Sequence, residues 1–174
     1  DGVIDLQDRT IIGNPNPDFV YGINLELSYK NLSLRVLANG VYGNDIANGN
    51  LLQLATPEGI SWSNITTAAY NNAWRPERTS NSYPRIGYTT NGQIAMPDWI
   101  IEDGSFLRIS NINLSYQFDR INIYLSAQNL FTFTGYSGYN PEVTSFLYDG
   151  LRNGVDWNGQ PSARKFTIGL NFNL

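Results

Sequence analysis

The chain has 174 residues and a formal net charge of −4, with neither cysteine nor histidine. Their absence excludes a disulfide framework and a thiolate metal site, and it removes the commonest general base and the usual zinc ligand. An acidic chain without a basic run is not expected to bind nucleic acid. Charged residues make up 15%, hydrophobic residues 41% and aromatic residues 13%, whereas a soluble domain averages about 25% charged residues. The composition favours a folded protein whose surface partly faces something other than water.

Period-two alternation of apolar and polar side chains predicts the first two strands. Over about 20–29 one side of the predicted strand is apolar, formed by Tyr21, Ile23, Leu25, Leu27 and Tyr29. The other side is polar, as expected of a strand between two different environments. A two-residue turn at Lys30-Asn31 leads into a second strand over about 32–42, in which Leu37 and Val41 interrupt the polar side.

Three further strands follow the same rule, over about 105–118, 121–131 and 164–174. In the first of them the alternation changes phase near Ser110, which predicts a β-bulge. Asp119-Arg120 forms the turn into the next strand. The fold class is therefore all-β and antiparallel.

The connections alternate between two-residue turns and two long loops, about 43–104 and 132–163, the first of which has a short helical pattern between Trp62 and Trp74. Loops of this length are unusual in compact soluble domains, but short turns alternating with long extracellular loops are typical of outer-membrane barrels. The apolar side would then face lipid and the polar side a hydrated lumen. A soluble β-sandwich, for example a carbohydrate-binding module, shows the same alternation and remains the alternative.

Five strands do not close a barrel, and an open edge in lipid leaves unpaired backbone groups that cost several kcal/mol each. We therefore expect further strands, either upstream in the same polypeptide or in copies of the chain. The final strand also matches a barrel-assembly signal, carried by Thr167, Gly169, Phe172 and Leu174.

Six phrases of the sequence are, in chain order, DGVIDLQDR at 1–9, IGNPNPDF at 12–19, VYGND at 41–45, WIIEDGSFLR at 99–108, AQNLFTFT at 127–134 and GYNPE at 138–142. Together they resemble the C-terminal region of the SusC/RagA family of TonB-dependent transporters. The segment of about 48–93 contains no matching phrase, as expected where loops vary with substrate.

The resemblance implies that the chain is the last five strands of a 22-stranded transmembrane barrel with a plug, in the outer membrane of a Gram-negative, Bacteroidetes-like bacterium. It implies a SusD-like surface lipoprotein as a lid and TonB acting on the plug, with both the plug and the TonB contact upstream of Asp1. Oligosaccharides or peptides are the implied substrates. A barrel without transport function is a further alternative.

The N-terminal segment 1–19, expected to be extracellular, contains part of an EF-hand-like loop. Asp1, the Val3 carbonyl, Asp5 and Asp8 have the spacing of its second half, and such hard oxygen ligands suit Ca²⁺ or Mg²⁺. A solvated Asp-rich turn is the other interpretation.

Aromatic residues in the loops are candidate substrate platforms, because exposed Trp and Tyr rings stack on sugars or peptide side chains. The candidates are Trp62, Tyr70, Trp74, Tyr83 and Trp157. They would alternatively pack the loops together or contact the lid. No nucleophile–base arrangement is present, so we do not expect an enzyme.

Overall fold

The computed structural model describes residues 7, 9–55, 64–79, 83–86, 96–143 and 152–172. Its main feature is a five-stranded antiparallel sheet, whose strands are Phe19–Tyr29 (β1), Leu32–Tyr42 (β2), Phe106–Phe118 (β5), Ile121–Thr134 (β6) and Lys165–Phe172 (β8). They are arranged in the order β1-β2-β5-β6-β8. The antiparallel, all-β fold class predicted from the sequence is present.

Two-residue hairpins connect β1 to β2 and β5 to β6. Tyr29 pairs with Leu32 and Phe118 with Ile121, and the first turn residues, Lys30 and Asp119, have φ angles of 52° and 35°. Positive φ is what the tightest hairpin turns require. The two turns lie side by side, which defines the turn end of the sheet; the long connections leave from the opposite end, the loop end.

A bulge changes the register near the loop end, as the phase change near Ser110 predicts. Between β2 and β5 the pairing shifts at Leu37/Ala38, and between β5 and β6 it shifts at Ile109/Asn111. Asn129 of β6, with a φ of 52°, lies at this second shift. Pairing resumes beyond it, so β6 continues to Thr134 rather than ending near residue 131, and the loop that follows is correspondingly shorter.

One face of the sheet, here called the apolar face, has large side chains in every strand. A continuous cross-strand row on this face consists of Leu25, Val36, Ile112, Ala127 and Phe166. The face is open rather than packed: Leu25 is 46% exposed, Leu27 54% and Ile168 77%. Most of the buried residues lie instead at the loop end.

A second, three-stranded sheet lies among the long connections. Its strands are Asp45–Asn48 (β3), Ile101–Asp103 (β4) and Val155–Asp156 (β7). They are arranged in the order β4-β3-β7, with β3 antiparallel to β4 and parallel to β7. The side chains of Ile46 and Ile100 are fully buried here. Period-two reading does not predict this sheet, because strands of two to four residues are too short to show alternation.

Short helices accompany the second sheet. They are α1 (Gly49–Ala55), α2 (Thr67–Asn72) and a 3-10 helix over Asp98–Ile100. Thr66 caps α2, since its hydroxyl accepts a hydrogen bond from Ala69 N at 3.1 Å. This helix covers the middle of the segment expected to be helical. Among the described residues, no helix is both long and apolar enough to cross a membrane.

Candidate functional site

The face opposite the apolar face, here called the polar face, is lined by hydrogen-bonding side chains. One complete cross-strand row consists of Glu26, Arg35, Asn113, Ser126 and Thr167. Arg35 donates to Glu26 at 3.0 Å. The two faces therefore differ in chemistry across all five strands, as expected of a wall between an apolar and a hydrated region.

Arg108 organises the loop end of the polar face. It belongs to β5 and is only 4% exposed. Its guanidinium donates to Glu142 Oε2, to Asn140 Oδ1 at 2.6 Å and to Thr132 Oγ1 at 3.0 Å. Its guanidinium carbon also lies 5.4 Å from the centre of the Phe106 ring. A nearly buried guanidinium is thus paired with one carboxylate and two neutral oxygens, as buried charges require.

The loop after β6 folds back onto the sheet through this arginine. Glu142 accepts a second hydrogen bond, from Asn39 of β2 at 3.3 Å, while Ser110 donates to the same asparagine. Asn140 donates to Ser162 at 3.1 Å and so connects the loop to the segment that enters β8. Residues 138–142 are consequently held against three different parts of the chain.

A cavity of about 230 Å³ opens beside Arg108. Its walls are contributed by β5, β6, the loop after β6 and the segment before β8. They are formed by Arg108, Asn129, Thr132, Thr134, Gly138, Tyr139, Pro141, Ser162 and Arg164. Most of these residues offer polar atoms, which suits a polar occupant.

A separate hydrogen-bond network, partly exposed at Ser137, holds the two long connections together. Both oxygens of Glu102 in β4 accept hydrogen bonds from Ser137, from its hydroxyl at 2.8 Å and from its backbone N–H at 2.7 Å. Asn48 of β3 also donates to Glu102, at 2.8 Å. The same asparagine caps α1 by accepting from Leu51 N at 3.0 Å. The small sheet, α1 and the loop after β6 therefore form one hydrogen-bonded unit.

Tyr136 and Asp156 extend this network into the interior. The tyrosine hydroxyl donates to Asp156 Oδ2 at 2.6 Å, and both residues are buried. Burial, then the hydrogen bond to Asp156 and the negative charges of Asp156 and Glu102, raise the pKa of Tyr136 far above its ordinary value. The Tyr136 hydroxyl therefore keeps its proton at neutral pH and donates a hydrogen bond to Asp156.

The structure brings some of the predicted loop aromatics together. Trp74 N donates to the Tyr83 carbonyl at 3.3 Å, and the Tyr83 ring lies 6.3 Å from that of Trp99. Tyr70 is exposed, and the guanidinium of Arg75 lies 4.9 Å from its ring centre. Packing within the loops thus accounts for part of the surface of these rings.

Trp157 lies in the other long connection. It is 43% exposed, and its ring covers Gly49, where a Cβ atom would come within 2.3 Å of the indole. Trp62 lies outside the described residues. Substrate binding by these aromatic residues remains a prediction.

Asp1, Val3, Asp5 and Asp8 also lie outside the described residues, so the metal site predicted there stays a prediction. In the described part of the chain, no three His, Cys, Asp or Glu side chains group to hold a metal ion.

The assembly signal is likewise only partly covered. Thr167, Gly169 and Phe172 belong to β8, and Leu174 lies outside the described residues. The Tyr124 ring lies across Gly169, since an added Cβ would be 2.3 Å from its Cζ atom. Packing against Tyr124 is therefore a reason for a glycine at this position that is independent of any assembly signal. The assembly role remains a prediction.

Sequence reasoning did not single out Arg108 or Glu142 as site residues. Both belong to phrases of the family resemblance, but their side chains meet only because 138–142 folds back. The sequence feature that could have marked Arg108 as a candidate is its charge, because the polar side chains around it on this face are mostly amides and hydroxyls.

No family model matches the chain. It is 33% identical to the TonB-dependent receptor P3 of Formosa agariphila and 31% identical to the TonB-dependent receptor SusC of Bacteroides thetaiotaomicron. These alignments cover 98% and 97% of this chain but only 18% and 16% of the relatives. A chain of the RagAB peptide importer in its closed-closed state has the same fold, with a TM-score of 0.73 at 24% identity over 93% of this chain and 18% of that one.

The relatives are named receptors rather than enzymes, in agreement with the prediction that the chain is not an enzyme. The sequence matches extend over nearly the whole chain and agree with the resemblance of its six phrases. The chain belongs to the family of TonB-dependent receptors that includes SusC, and it spans 16–18% of the length of the curated relatives named above.

Proposed function

We propose that the chain is the C-terminal part of an outer-membrane transporter, namely five wall strands of its barrel and the loops above them. The observation that carries the proposal is the exposed apolar face, opposed across every strand by the polar face. In a bilayer the first face contacts acyl chains and the second lines a hydrated interior.

Aromatic residues support this placement. On the apolar face they are concentrated towards the two strand ends, while aliphatic residues fill much of the middle. At the loop end they are Phe19, Tyr21, Tyr42, Phe131 and Phe133, and at the turn end Tyr29, Tyr116, Phe118 and Phe172, while Phe166 lies in the middle. Two aromatic girdles around an apolar band are typical of membrane barrels. The strands β1 and β2 have 11 residues each, enough to cross the hydrocarbon core when tilted.

The edge strands of the sheet are β1 and β8. Unpaired strand edges are not tolerated in lipid, so both edges would pair with further strands of a longer polypeptide. The relatives are several times longer than this chain, which leaves room for the remaining strands of a 22-stranded barrel and for a plug coupled to TonB.

We further propose that the transported molecules are oligosaccharides or peptides and that a SusD-like lipoprotein covers the loops. The likeness to SusC and to a peptide importer supports this assignment. Both long connections leave the sheet at one end and are joined there by the Glu102 network, so they offer a coherent surface to a partner.

Spin labels on adjacent residues of β1 test the wall assignment in the full-length receptor, reconstituted in lipid bilayers. A label at Leu25 should collide with oxygen dissolved in the lipid, and one at Asn24 with a water-soluble nickel complex. If neither reagent reaches Leu25, protein covers the apolar face and the barrel assignment is wrong. Substrate uptake by cells with and without TonB then tests transport, since a non-transporting barrel would show no difference.

A further inference from the structure

The cavity beside Arg108 carries an inference about the substrate itself, and this inference rests on the proposed function. The cavity lies at the loop end of the polar face, where a molecule entering from the loops would first meet the strands. Its volume of about 230 Å³ is below the roughly 300–1,000 Å³ of pockets that enclose a whole drug-sized ligand. It therefore suits one unit of a larger substrate rather than a complete small molecule.

The charges around the cavity are unequal. Arg108 is neutralised by Glu142. Arg164, which lines the cavity from the segment before β8, has neither an ion pair nor a hydrogen bond from its side chain to any other described residue. Lys165 follows it directly and is exposed on the polar face. The surroundings of the cavity are thus positive although the chain as a whole is acidic.

Two hydroxyl groups in the wall are set to donate. Thr132 Oγ1 accepts from Arg108 Nε at 3.0 Å, and Ser162 Oγ accepts from Asn140 Nδ2 at 3.1 Å. Because each oxygen already accepts a hydrogen bond from a protein N–H group, each hydroxyl hydrogen remains for another acceptor. An anionic oxygen is the natural partner of a guanidinium together with hydroxyl donors.

We propose that this cavity is a subsite for a carboxylate-bearing unit of the imported substrate. Arg164 binds the carboxylate, Thr132 and Ser162 donate to it, and the ring of Tyr139, which is 74% exposed at the cavity, packs on the rest of the unit. An acidic sugar and an acidic or C-terminal amino-acid residue share this chemistry.

The test uses the purified full-length receptor and isothermal titration calorimetry. The probes are short oligogalacturonides and short Glu-containing peptides, each compared with its methyl ester, which removes the charge and adds only a methyl group. Arg164→Gln removes the guanidinium, and Arg164→Lys retains the charge. Arg120→Gln is the matched control, because Arg120 is also exposed but lies at the turn end of the sheet.

At least one free acid should bind tenfold or more tightly than its ester. Arg164→Gln should abolish that preference, Arg164→Lys should keep part of it, and Arg120→Gln should leave it unchanged. The class of acid that shows the preference identifies the source of the carboxylate. Equal binding of acid and ester, no binding of either, or a preference that survives Arg164→Gln overturns the inference.

The proposed function can fail separately. A receptor that inserts into the outer membrane and imports a glycan or peptide without charge preference refutes the subsite alone. A receptor that is not an integral membrane protein refutes the proposed function.

Discussion

The guanidinium of Arg108 donates to the carboxylate of Glu142 and thereby joins β5 to the loop that follows β6. The arginine side chain is 5% exposed and that of the glutamate 42%, so the pair lies at the boundary between the sheet and the open surface. The loop carries one wall of the cavity. Its position near the cavity therefore depends on this ion pair together with the hydrogen bonds of Asn140 to Arg108 and Ser162 and of Asn39 to Glu142.

Glu142→Gln should loosen this loop while leaving the sheet intact. A hydrogen bond to a charged group contributes about 1.5–3 kcal/mol. Glutamine keeps an acceptor oxygen but loses the charge, which leaves the nearly buried Arg108 guanidinium without a carboxylate. We expect faster amide hydrogen exchange in residues 138–142 of the full-length receptor. Glu26→Gln is the matched control, because the pair Arg35–Glu26 is 55% exposed on both sides and an exposed pair contributes only about 0–1 kcal/mol. Equal protection in both variants would show that the pair does not hold the loop.

Tyr136→Phe should weaken the junction between the two long connections. It removes the donor at 2.6 Å from Asp156, and loss of a donor to a buried polar group costs about 1–3 kcal/mol. Hydrogen exchange over residues 155–159 should increase. Tyr139→Phe, on the same loop but with an exposed ring, should have no effect there.

The raised pKa of Tyr136 predicts that the stability of this junction depends on pH. Its pKa is raised in the folded protein, so above the ordinary tyrosine pKa of about 10 the folded form retains a proton that the unfolded form has lost. The contribution of the protonated Tyr136 hydroxyl to the stability of the folded protein is therefore complete below pH 10 and decreases as the pH rises beyond it. Protection of residues 155–159 should fall above pH 10 in the wild type, and this tyrosine-dependent fall should be missing in Tyr136→Phe. Identical pH profiles would contradict the assignment.

Two strand glycines should respond differently to alanine. At Gly40 an added Cβ would lie 2.5 Å from the Phe106 carbonyl oxygen and 2.3 Å from the Tyr21 ring, and the backbone oxygen cannot move away. Gly40→Ala should destabilise the barrel by about 1–3 kcal/mol, the usual range for overpacking. At Gly22 the nearest atom is 3.9 Å away, so Gly22→Ala should be neutral or slightly stabilising. The two variants are compared by the fraction of receptor that runs as the folded band on a gel at increasing urea concentrations. Equal unfolding midpoints for Gly40→Ala and Gly22→Ala would refute the packing argument.

The alternation of apolar and polar side chains predicted the five long strands because the two faces of the large sheet meet different surroundings. Each strand therefore repeats the alternation over many residues. The bulge near Ser110 was visible for the same reason, as a break in that alternation. The small sheet has no such signature, since Asn48 reaches Glu102 and Ser137 over 54 and 89 residues. Contacts of that kind depend on how the loops fold, and a single sequence does not reveal them.

The candidate site also contains residues that the sequence predicts and residues whose role depends on how the loops fold. Aromatic residues could be picked out because their chemistry is a property of the residue itself. The role of Arg108 could not, because it depends on a glutamate 34 residues away. Its place on the polar row was foreseeable, but not its partner or the cavity beside it.

Lysine substitutions at neighbouring positions of β8 separate the two faces most directly. Ile168 lies on the apolar face and Thr167 on the polar face, both in the middle of the strand and both exposed. If acyl chains cover the apolar face, Ile168→Lys places a charge in hydrocarbon and should cost about 2–4 kcal/mol near the midplane. Thr167→Lys should cost much less, because its ammonium group reaches water in the lumen. Both variants are compared as full-length receptors by urea titration in lipid vesicles, and a smaller penalty at Ile168 than at Thr167 would mean that this face does not meet lipid.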